Sequence, residues 1–462
     1  MTISTIMDVV ICNFPPMLPW YLPAAPAILK GACNWLGVSS TFIDFNVQEK
    51  NPIEWANQIN NFNPKLVALS LFSYKSRPYA IELAGVLKKI NPNITVLVGG
   101  SGISDAINGN IQKSIQHCLD TKTIDFCIQG DGEYLFPQFL CDFFKIGDID
   151  YFENISPPYH PDYSDYKFEL YRQFVDKGTW NTVVVPITGS KGCVRNCTFC
   201  DVPGKWNFVQ KDPRIIADEI RKILLLTKDT VHFHFTDSLV NGSLPAFEKM
   251  LDLFLEIKQE YPEFNWGGQF IIRRANQSGD DYWKKIALSG ACNLEIGVET
   301  GSDRLRLEMK KHFTNSDLIH SVKFMEKYKI TCVFLMFTGM PTETDEDFNE
   351  TLSLLDQLTA YRDTVITEIQ LGYLTTINPK TPLLETSNQD SNMILTKNPI
   401  VWYNKSNPTL TFLERINRRQ RFEDHARDYG YKVAWDTHIQ IEEAQQSYQD
   451  NLPLINLIEK QK

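Results

Sequence analysis

The sequence predicts an α/β protein in three parts: an N-terminal doubly wound, Rossmann-like parallel sheet, a partial (β/α)6 barrel, and a small, mainly helical C-terminal region. Three observations carry this. Residues 6–147 alternate five short apolar runs with amphipathic stretches; from residue 182 six further strand candidates appear, each followed by a helical stretch; between them the composition turns to proline and aromatics. Apolar runs bounded by turn formers read as strands buried on both faces, and repeated strand–helix units build parallel sheets. The expected boundaries are 1–147, a linker 148–181, 182–377 and 378–462.

In the first part the strands are Val9-Val10-Ile11, Thr41-Phe42-Ile43, Leu66 to Leu69, Thr95 to Val98 and Phe126-Cys127-Ile128. Helices run from Ala25 to Leu36, closed by Gly37, and from Ala80 to Ile90. A doubly wound sheet binds ligands beyond the carboxyl ends of its strands, so those ends are the places to look. They read Asn13-Phe14-Pro15-Pro16, Asp44-Phe45-Asn46, Ser70-Leu71-Phe72, Gly99-Gly100-Ser101-Gly102 and Gly130-Asp131-Gly132-Glu133. Glycines there let a backbone approach a ligand, although tight turns use them too. No G-x-G-x-x-G follows the first strand, which argues against a dinucleotide site.

Residues 157–166, Pro-Pro-Tyr-His-Pro-Asp-Tyr-Ser-Asp-Tyr, suit an ordered connector better than a helix, and His160 reads as packing or surface. The second set of strands is Val183 to Val185, Val231 to Phe235, Phe264 to Ile271, Leu294 to Val298, Cys332 to Phe337 and Ile369 to Leu374. Helices are expected at Ile215 to Leu225, Phe247 to Lys258, Tyr282 to Leu288, Leu318 to Tyr328 and Phe348 to Leu358. In such a barrel the chemistry sits at the carboxyl-end loops. The basic helix Leu413 to Tyr429, with Arg415, Arg418, Arg419 and Arg421, reads as a solvated face, and Trp402 and Tyr403 as a closure of the barrel.

Over 462 residues, with 43% hydrophobic and 22% charged content, the chain has enough apolar material for more than one core. A net charge of −10 argues against a dominant nucleic-acid surface, which would need lysine and arginine to neutralise phosphates. With no apolar run of membrane-spanning length and no leader-like start, a cytoplasmic protein is expected. Ten cysteines in so long a chain do not make a disulfide scaffold; seven of them sit among apolar neighbours and read as core.

The remaining three form Cys193-Val194-Arg195-Asn196-Cys197-Thr198-Phe199-Cys200, on the loop after the first barrel strand. Three thiolates so close want a metal. A cubane iron-sulfur cluster held by three cysteines keeps one iron open. Structural zinc would need a distant fourth ligand, and three unrelated core thiols remain an alternative. Arg195 and Asn196 are placed to offset cluster charge, and Phe199 to shield it.

This loop resembles the signature of the radical S-adenosylmethionine (SAM) enzymes, three cysteines so spaced with an aromatic before the last. The resemblance implies that Cys193, Cys197 and Cys200 hold a 4Fe-4S cluster whose open iron binds SAM and cleaves it reductively to a 5′-deoxyadenosyl radical. It further implies SAM contacts at Asp237 and Ser238 after the second barrel strand, and at Glu299, Ser302 and Arg304 after the fourth. Gly339, in a Gly-x-Pro-x-Glu-Thr-like turn, and Tyr373 beside Gly372 would border adenine. Bland readings stand beside these: a helix cap for Asp237, an ion pair between Glu299 and Arg304. Gln269 and Arg273 lie near the third strand's end.

The first part resembles the cobalamin-binding domain that precedes many radical SAM cores, through Pro23 to Pro26, Asp44, the Ser70 loop, Gly99-Gly100 and the Gly130–Glu133 turn. That likeness implies cobalamin contacts at Asn13, Ser70, Phe72, Gly99, Gly100, Gly130 and Glu133. The first loop departs from other cobalamin proteins: it has Asn13-Phe14-Pro15-Pro16 and no Asp-x-His-x-x-Gly. Either cobalt has no histidine beneath it, or the domain is empty. Together the resemblances imply cobalamin-dependent methyl transfer to an unactivated carbon or phosphorus of a small-molecule or peptide substrate, with electrons from a reductase such as flavodoxin or ferredoxin. A cobalamin-independent rearrangement or cyclisation and a non-catalytic electron carrier are the alternatives. The sequence names no catalytic residue beyond these ligands.

Overall fold

The computed structural model describes residues 6–104, 111–147, 149, 157, 159–175, 182–202, 207–227, 230–434 and 437–460. Contacts divide the chain into two units, Met1–Ile187 with Asp218–Phe233, and Thr188–Ala217 with His234–Lys462. Among the described residues no helix is long and apolar enough to cross a membrane.

The first unit contains β1 (Val9–Asn13), β2 (Ser40–Asp44), β3 (Leu66–Ser70), β4 (Thr95–Gly99) and β5 (Phe126–Cys127), ordered β2-β1-β3-β4-β5. All four pairings are parallel. β1 and β3 are buried along their whole length, as Val-Val-Ile-Cys-Asn and Leu-Val-Ala-Leu-Ser demand of central strands covered on both sides. β5 is shorter than its sequence run and partly exposed at the edge. This order puts a switch point between β1 and β3, the crevice where doubly wound sheets take ligands.

Beneath one face, Phe14, Phe45 and Trp55 pack as an aromatic knot, with Phe45 and Trp55 stacked 4.6 Å apart. Each such side chain stabilises the fold by about 1.5–3 kcal/mol through burial. The first helix, Ala24–Trp35, is followed by Gly37 at φ +70°, the left-handed turn its sequence promised.

Residues 159–175 of the connector are stitched to this unit, and Pro158 lies outside the described residues. Lys30 Nζ donates to Ser164 Oγ at 2.7 Å and lies 2.7 Å from Asp165. The Tyr166 hydroxyl donates to Pro23 O at 2.6 Å, and the His160 carbonyl lies where a Cβ on Gly31 would be. A short helix, Phe168–Arg172, which the proline-rich reading did not anticipate, brings Tyr171 to Asp44 at 2.7 Å.

After β6 (Val183–Ile187) come a two-stranded ribbon, β7 (Ser190–Lys191) with β8 (Val209–Gln210), and then β9 (Val231–Phe235), β10 (Asn265–Phe270), β11 (Ala291–Glu299), β12 (Cys332–Met336) and β13 (Ile366–Leu371). The second sheet is six-stranded in chain order, β13-β12-β11-β10-β9-β6, as repeated strand–helix units require. The last strand begins three residues before its expected start, because Cys332 N–H donates to Val365 O and pulls Ile366 into register with Cys332.

The basic helix is where the structure corrects the sequence reading. Phe412–Asp428 is helical, but Arg415, Arg418 and Arg419 are buried, and only Arg421 keeps the expected solvent exposure. Arg415 donates to Thr375 O and Ile400 O at 3.2 and 2.9 Å, with its guanidinium 4.0 Å from the Trp402 ring centre. Trp402 and Tyr403 lie in β15 (Trp402–Asn404), antiparallel to β14 (Met393–Leu395), and are buried there.

Candidate functional site

The cysteine loop is a backbone-anchored arch. Gly192, at φ +76°, turns the chain out of β7 into it. The Cys200 N–H donates to Cys197 O at 3.2 Å, Thr198 N–H to Met309 O at 3.3 Å, and Leu383 N–H to Thr198 O at 2.7 Å. Cys193 accepts from Arg195 N–H at 3.4 Å. Cys197 is buried, Cys193 and Cys200 half-buried, and all three are free thiols. Burial pushes the Cys197 thiol up to about 11 and raises Cys200 as well. Among the described residues no three His, Cys, Asp or Glu side chains converge on one metal-ion position. Cysteines on three different irons of a cubane do not need to converge so tightly, and three free thiols on one fixed arch fit such a cluster.

Phe199 meets Phe337 edge-on at 5.1 Å and walls the arch on its apolar side. Its polar side is lined by an ion pair that the sequence reading missed. Lys311 Nζ lies 2.7 Å from Glu299 Oε1, both side chains well buried. Burial pulls the Lys311 ammonium down, but Glu299 and the thiols of Cys197 and Cys200 outweigh it and hold it above its ordinary value. The pair lies across Gly297, where a Cβ would fall 2.5 Å from Glu299 Oε1 and 2.7 Å from Lys311 Nζ. Glu299 itself sits at φ +65°, beside a register shift between β11 and β12. A non-glycine residue held there costs of order 1 kcal/mol, so the surrounding contacts fix its carboxylate in place. In sequence Lys311 is one of two adjacent lysines after a short helix, a pattern indistinguishable from surface charge.

Asp237 turns away from solvent. It accepts from Gly189 N–H at 2.8 Å and from the Ser190 hydroxyl, gripping the segment that leads into the arch. Burial outweighs these bonds and raises its carboxyl to about 6. Ser238, next along, stays half-buried.

Ser302 and Arg304 belong to a different network. Ser302 caps helix Asp303–Glu308 and donates to Asp347 Oδ1 at 2.6 Å; Arg304 Nε reaches the same oxygen at 3.0 Å. Arg304 therefore pairs with Asp347, and the alternative reading of an ion pair with Glu299 gives way to Lys311–Glu299. Asp347 also completes a capping box with Thr344 at the head of helix Asp345–Leu358. These bonds hold Asp347 well below the usual carboxylate range although burial opposes them. Its removal strips a cap and two side-chain bonds, so Asp347→Ala is expected to cost about 2 kcal/mol, read as a lowered denaturant midpoint. SAM affinity should stay within about twofold of wild type; a tenfold loss with unchanged stability would place this network at the ligand.

Gly339, at φ +86°, donates its N–H to Glu343 Oε2 at 2.8 Å, and a Cβ there would lie 3.1 Å from Arg415 Cγ. Tyr373 packs with Leu374, Tyr403 and Phe412, while Gly372 lends its carbonyl to Arg419 Nε at 2.9 Å. Gln269 is exposed on β10, and Arg273 donates to Asn241 O.

In the first unit, five of the seven expected cobalamin contacts meet at one cavity of about 120 Å³: Ser70, Gly99, Gly100, Gly130 and Glu133. Asn13 and Phe72 are not in its lining. Asn13 Nδ2 donates to Asp44 Oδ1 at 3.0 Å, which together with Tyr171 locks it beneath the strand ends, and Phe72 is exposed. Ala25, Ala68 and Gly132 complete a narrow slot whose polar groups come from Ser70 and Glu133. Gly100, at φ +99°, packs so closely that a Cβ would lie 2.5 Å from Leu71 O. Such a slot fits a flat apolar ring with a polar tail, the shape of the nucleotide end of a corrinoid.

Residues 187–355 match the Radical SAM superfamily. An uncharacterized methyltransferase of Pyrococcus horikoshii is 23% identical over 328 residues, covering 66% of each chain. A tRNA-2-methylthio-N(6)-dimethylallyladenosine synthase of a Hydrogenobaculum species is 26% identical over 281 residues, covering 58% of this chain and 59% of that one. The aligned stretches thus span about two thirds or less of these relatives. Among solved structures, the radical SAM methyltransferase TsrM from Kitasatospora setae, with tryptophan and aza-SAM bound, superposes with a TM-score of 0.60 at 15% identity, over 85% of this chain and 79% of that one. The cobalamin-dependent radical enzyme OxsB with aqua-cobalamin superposes at 0.61 and 14% identity, over 97% and 75%. Likeness at that identity speaks to the fold.

Proposed function

We propose, from the match of residues 187–355 to the Radical SAM superfamily, that the chain is a radical SAM enzyme that transfers a methyl group from SAM, with the help of cobalamin, to an unactivated carbon or phosphorus of a small-molecule or peptide substrate. The observation that carries the cobalamin part is the slot at the carboxyl ends of β3 and β4, lined by Ser70, Gly99, Gly100, Gly130 and Glu133. TsrM and OxsB, with the same fold, are cobalamin enzymes, and the Pyrococcus relative is named a methyltransferase.

The 4Fe-4S cluster supplies the electron that cleaves SAM, and cobalamin a carrier for its methyl group. The chain's own residues do the rest. Cys193, Cys197 and Cys200 present three thiols from an arch anchored through Thr198. Lys311 places a positive charge beside them, which favours their ionised form. Glu299, fixed by Lys311, offers its second carboxylate oxygen to the ribose hydroxyls of SAM. Ser238, the backbone at Gly339 and Tyr373 are the further SAM contacts of this reading. Asp237 acts through the loop it grips, and Ser302 and Arg304 through the fold alone. Phe199 and Phe337 keep water from the arch. A one-electron donor such as flavodoxin or ferredoxin would reduce the cluster.

Ala25 is exposed on the first turn of its helix and faces the slot, so a large side chain there blocks the ligand without disturbing the core. Ala25→Trp should weaken corrinoid binding by at least about tenfold, the equivalent of ~1.4 kcal/mol of lost contact. Formation of 5′-deoxyadenosine from SAM under dithionite should be untouched. Unchanged corrinoid affinity would take the corrinoid out of this slot; no affinity in the wild type would remove cobalamin and leave a radical rearrangement or cyclisation.

A further inference from the structure

Side chains alternate across a strand, so Asn293, Glu295, Gly297 and Glu299 of β11 share one face while Leu294, Ile296 and Val298 are buried on the other. Register places Gln269 of β10, Glu295 of β11, Val333 of β12 and Glu368 of β13 in a single row. The opposite face packs on helix Leu244–Glu260, with Phe235 and Trp266 against its Phe254, so this face is the inner, concave wall of the partial barrel. His234 of β9 and Glu295 of β11 approach to 3.7 Å although β10 lies between their strands. Neighbouring strands are about 4.8 Å apart, so the two side chains lean toward each other over β10. Gly267, on the same face of β10, has no side chain to obstruct them.

Glu295 has no hydrogen-bond partner among the described residues, and its one titratable neighbour within 4 Å among them is the His234 ring. Its side chain is 20% exposed, enough for a ligand to reach. Every other carboxylate on this wall has a partner: Glu299 has Lys311, and Glu368 has Gln370 at 3.1 Å and Lys432 at 3.4 Å. We propose that this concave face is the substrate's seat, and that Glu295 is the counter-ion for a positively charged nitrogen of the substrate, with Gln269 and His234 positioning it and Val333 and Leu335 taking its apolar part. The proposal rests on the radical SAM reading of the same barrel and names the substrate class: an amine or similar nitrogen cation, not a phosphate or carboxylate.

Burial supports the charge assignment. It raises the Glu295 carboxyl to about 7 and lowers His234 to about 4, so near neutrality the imidazole is uncharged and cannot serve as the missing cation. A docking ammonium would favour the ionised carboxylate and expel a proton. Within this unit the charged and titratable groups facing this position are His234 on β9, the Glu299–Lys311 pair further along β11, and Glu368 with Lys432 at β13; β10 and β12 contribute the neutral Gln269, Val333 and Leu335.

The test uses the full chain carrying its cluster, and three probes of one shape: benzylamine, benzyl alcohol and benzoate, followed by calorimetry in buffers of differing ionisation enthalpy. Benzylamine should bind at least about tenfold more tightly than the other two, with affinity rising from pH 6 to pH 8 and proton release per amine that shrinks over the same range. Glu295→Gln should abolish the preference. Equal binding of amine and alcohol, a preference that survives Glu295→Gln, or an imidazolium at His234 in the NMR spectrum at pH 7 would each overturn the proposal. If the variant fails to fold, the wild-type pH dependence and proton release still decide. Uncoupled SAM cleavage, measured in the same wild-type preparation, tests the radical SAM reading separately.

Discussion

Replacing Cys193, Cys197 and Cys200 by alanine, singly or together, is expected to strip the iron and lower 5′-deoxyadenosine formation by at least ~10³-fold, a loss of about 4 kcal/mol of transition-state stabilisation. The fold should hardly notice. The arch is fixed by backbone bonds of Thr198 and Cys200, which alanine leaves intact, and two of the three thiols are only half-buried. The buried Cys197 loses one sulfur from its packing, about 1 kcal/mol, so Tm should fall by only about 2–4 °C. Iron content, the visible spectrum and product analysis on anaerobically prepared protein check this together. A triple variant that keeps its iron and its cleavage would remove these cysteines as the cluster ligands.

The largest effect on stability is expected at Arg418. Its Nη1 donates to Glu343 Oε1 at 3.0 Å and to the carbonyls of Glu343 and Thr344 at 3.2 Å each, while Nη2 meets Asp345 at 2.5 Å and Nε meets Glu414 at 3.2 Å. Both Arg418 and Glu343 are almost wholly buried. Arg418→Ala leaves Glu343 charged and unpaired in the interior, at a cost of about 3–5 kcal/mol. The loss has a definite pH dependence. Burial already raises the Glu343 carboxyl above its ordinary 4.5, and Arg418 is the main influence holding it down. Without Arg418 the folded value rises further, so protonated Glu343 is tolerated at low pH and the deficit grows as pH rises above about 4.5. Urea midpoints of the variant and wild type should therefore diverge between pH 5 and pH 8. Parallel curves would contradict the assignment.

Much of this architecture is legible in the sequence because short apolar runs such as Val9-Val10-Ile11 and Leu66 to Leu69, bounded by turn residues, read as central parallel strands buried on both faces. Strand ends were legible for the same reason: Ser70, Gly99 and Gly130 follow those runs and meet at the slot. Partners distant in sequence were not. Arg415, Arg418 and Arg419 share the i, i+3, i+4 face of their helix, which marks a common destination, but the acceptors are Thr375, Ile400, Glu343 and Gly372, whose approach no local pattern announces. Ser302 and Arg304 likewise read as ligand contacts in sequence, while the partner that holds both, Asp347, lies more than forty residues on. Lys311 and Glu295 were invisible as a counter-charge and an unpaired carboxyl, since each depends on what faces it. The alternation His232-Phe233-His234-Phe235 was a usable signal, placing both histidines on one face of β9.

The central claim is that this chain, with its radical SAM match at residues 187–355, cleaves SAM and also moves methyl groups through a corrinoid bound in the first unit. The direct measurement is S-adenosylhomocysteine formed by reduced, cluster-loaded protein incubated with SAM, with and without added hydroxocobalamin and without any substrate. One equivalent of S-adenosylhomocysteine per bound corrinoid, absent when cobalamin is withheld and strongly reduced in Ala25→Trp, is the expected result. Formation of 5′-deoxyadenosine alone, at the same level with and without a corrinoid, would contradict it.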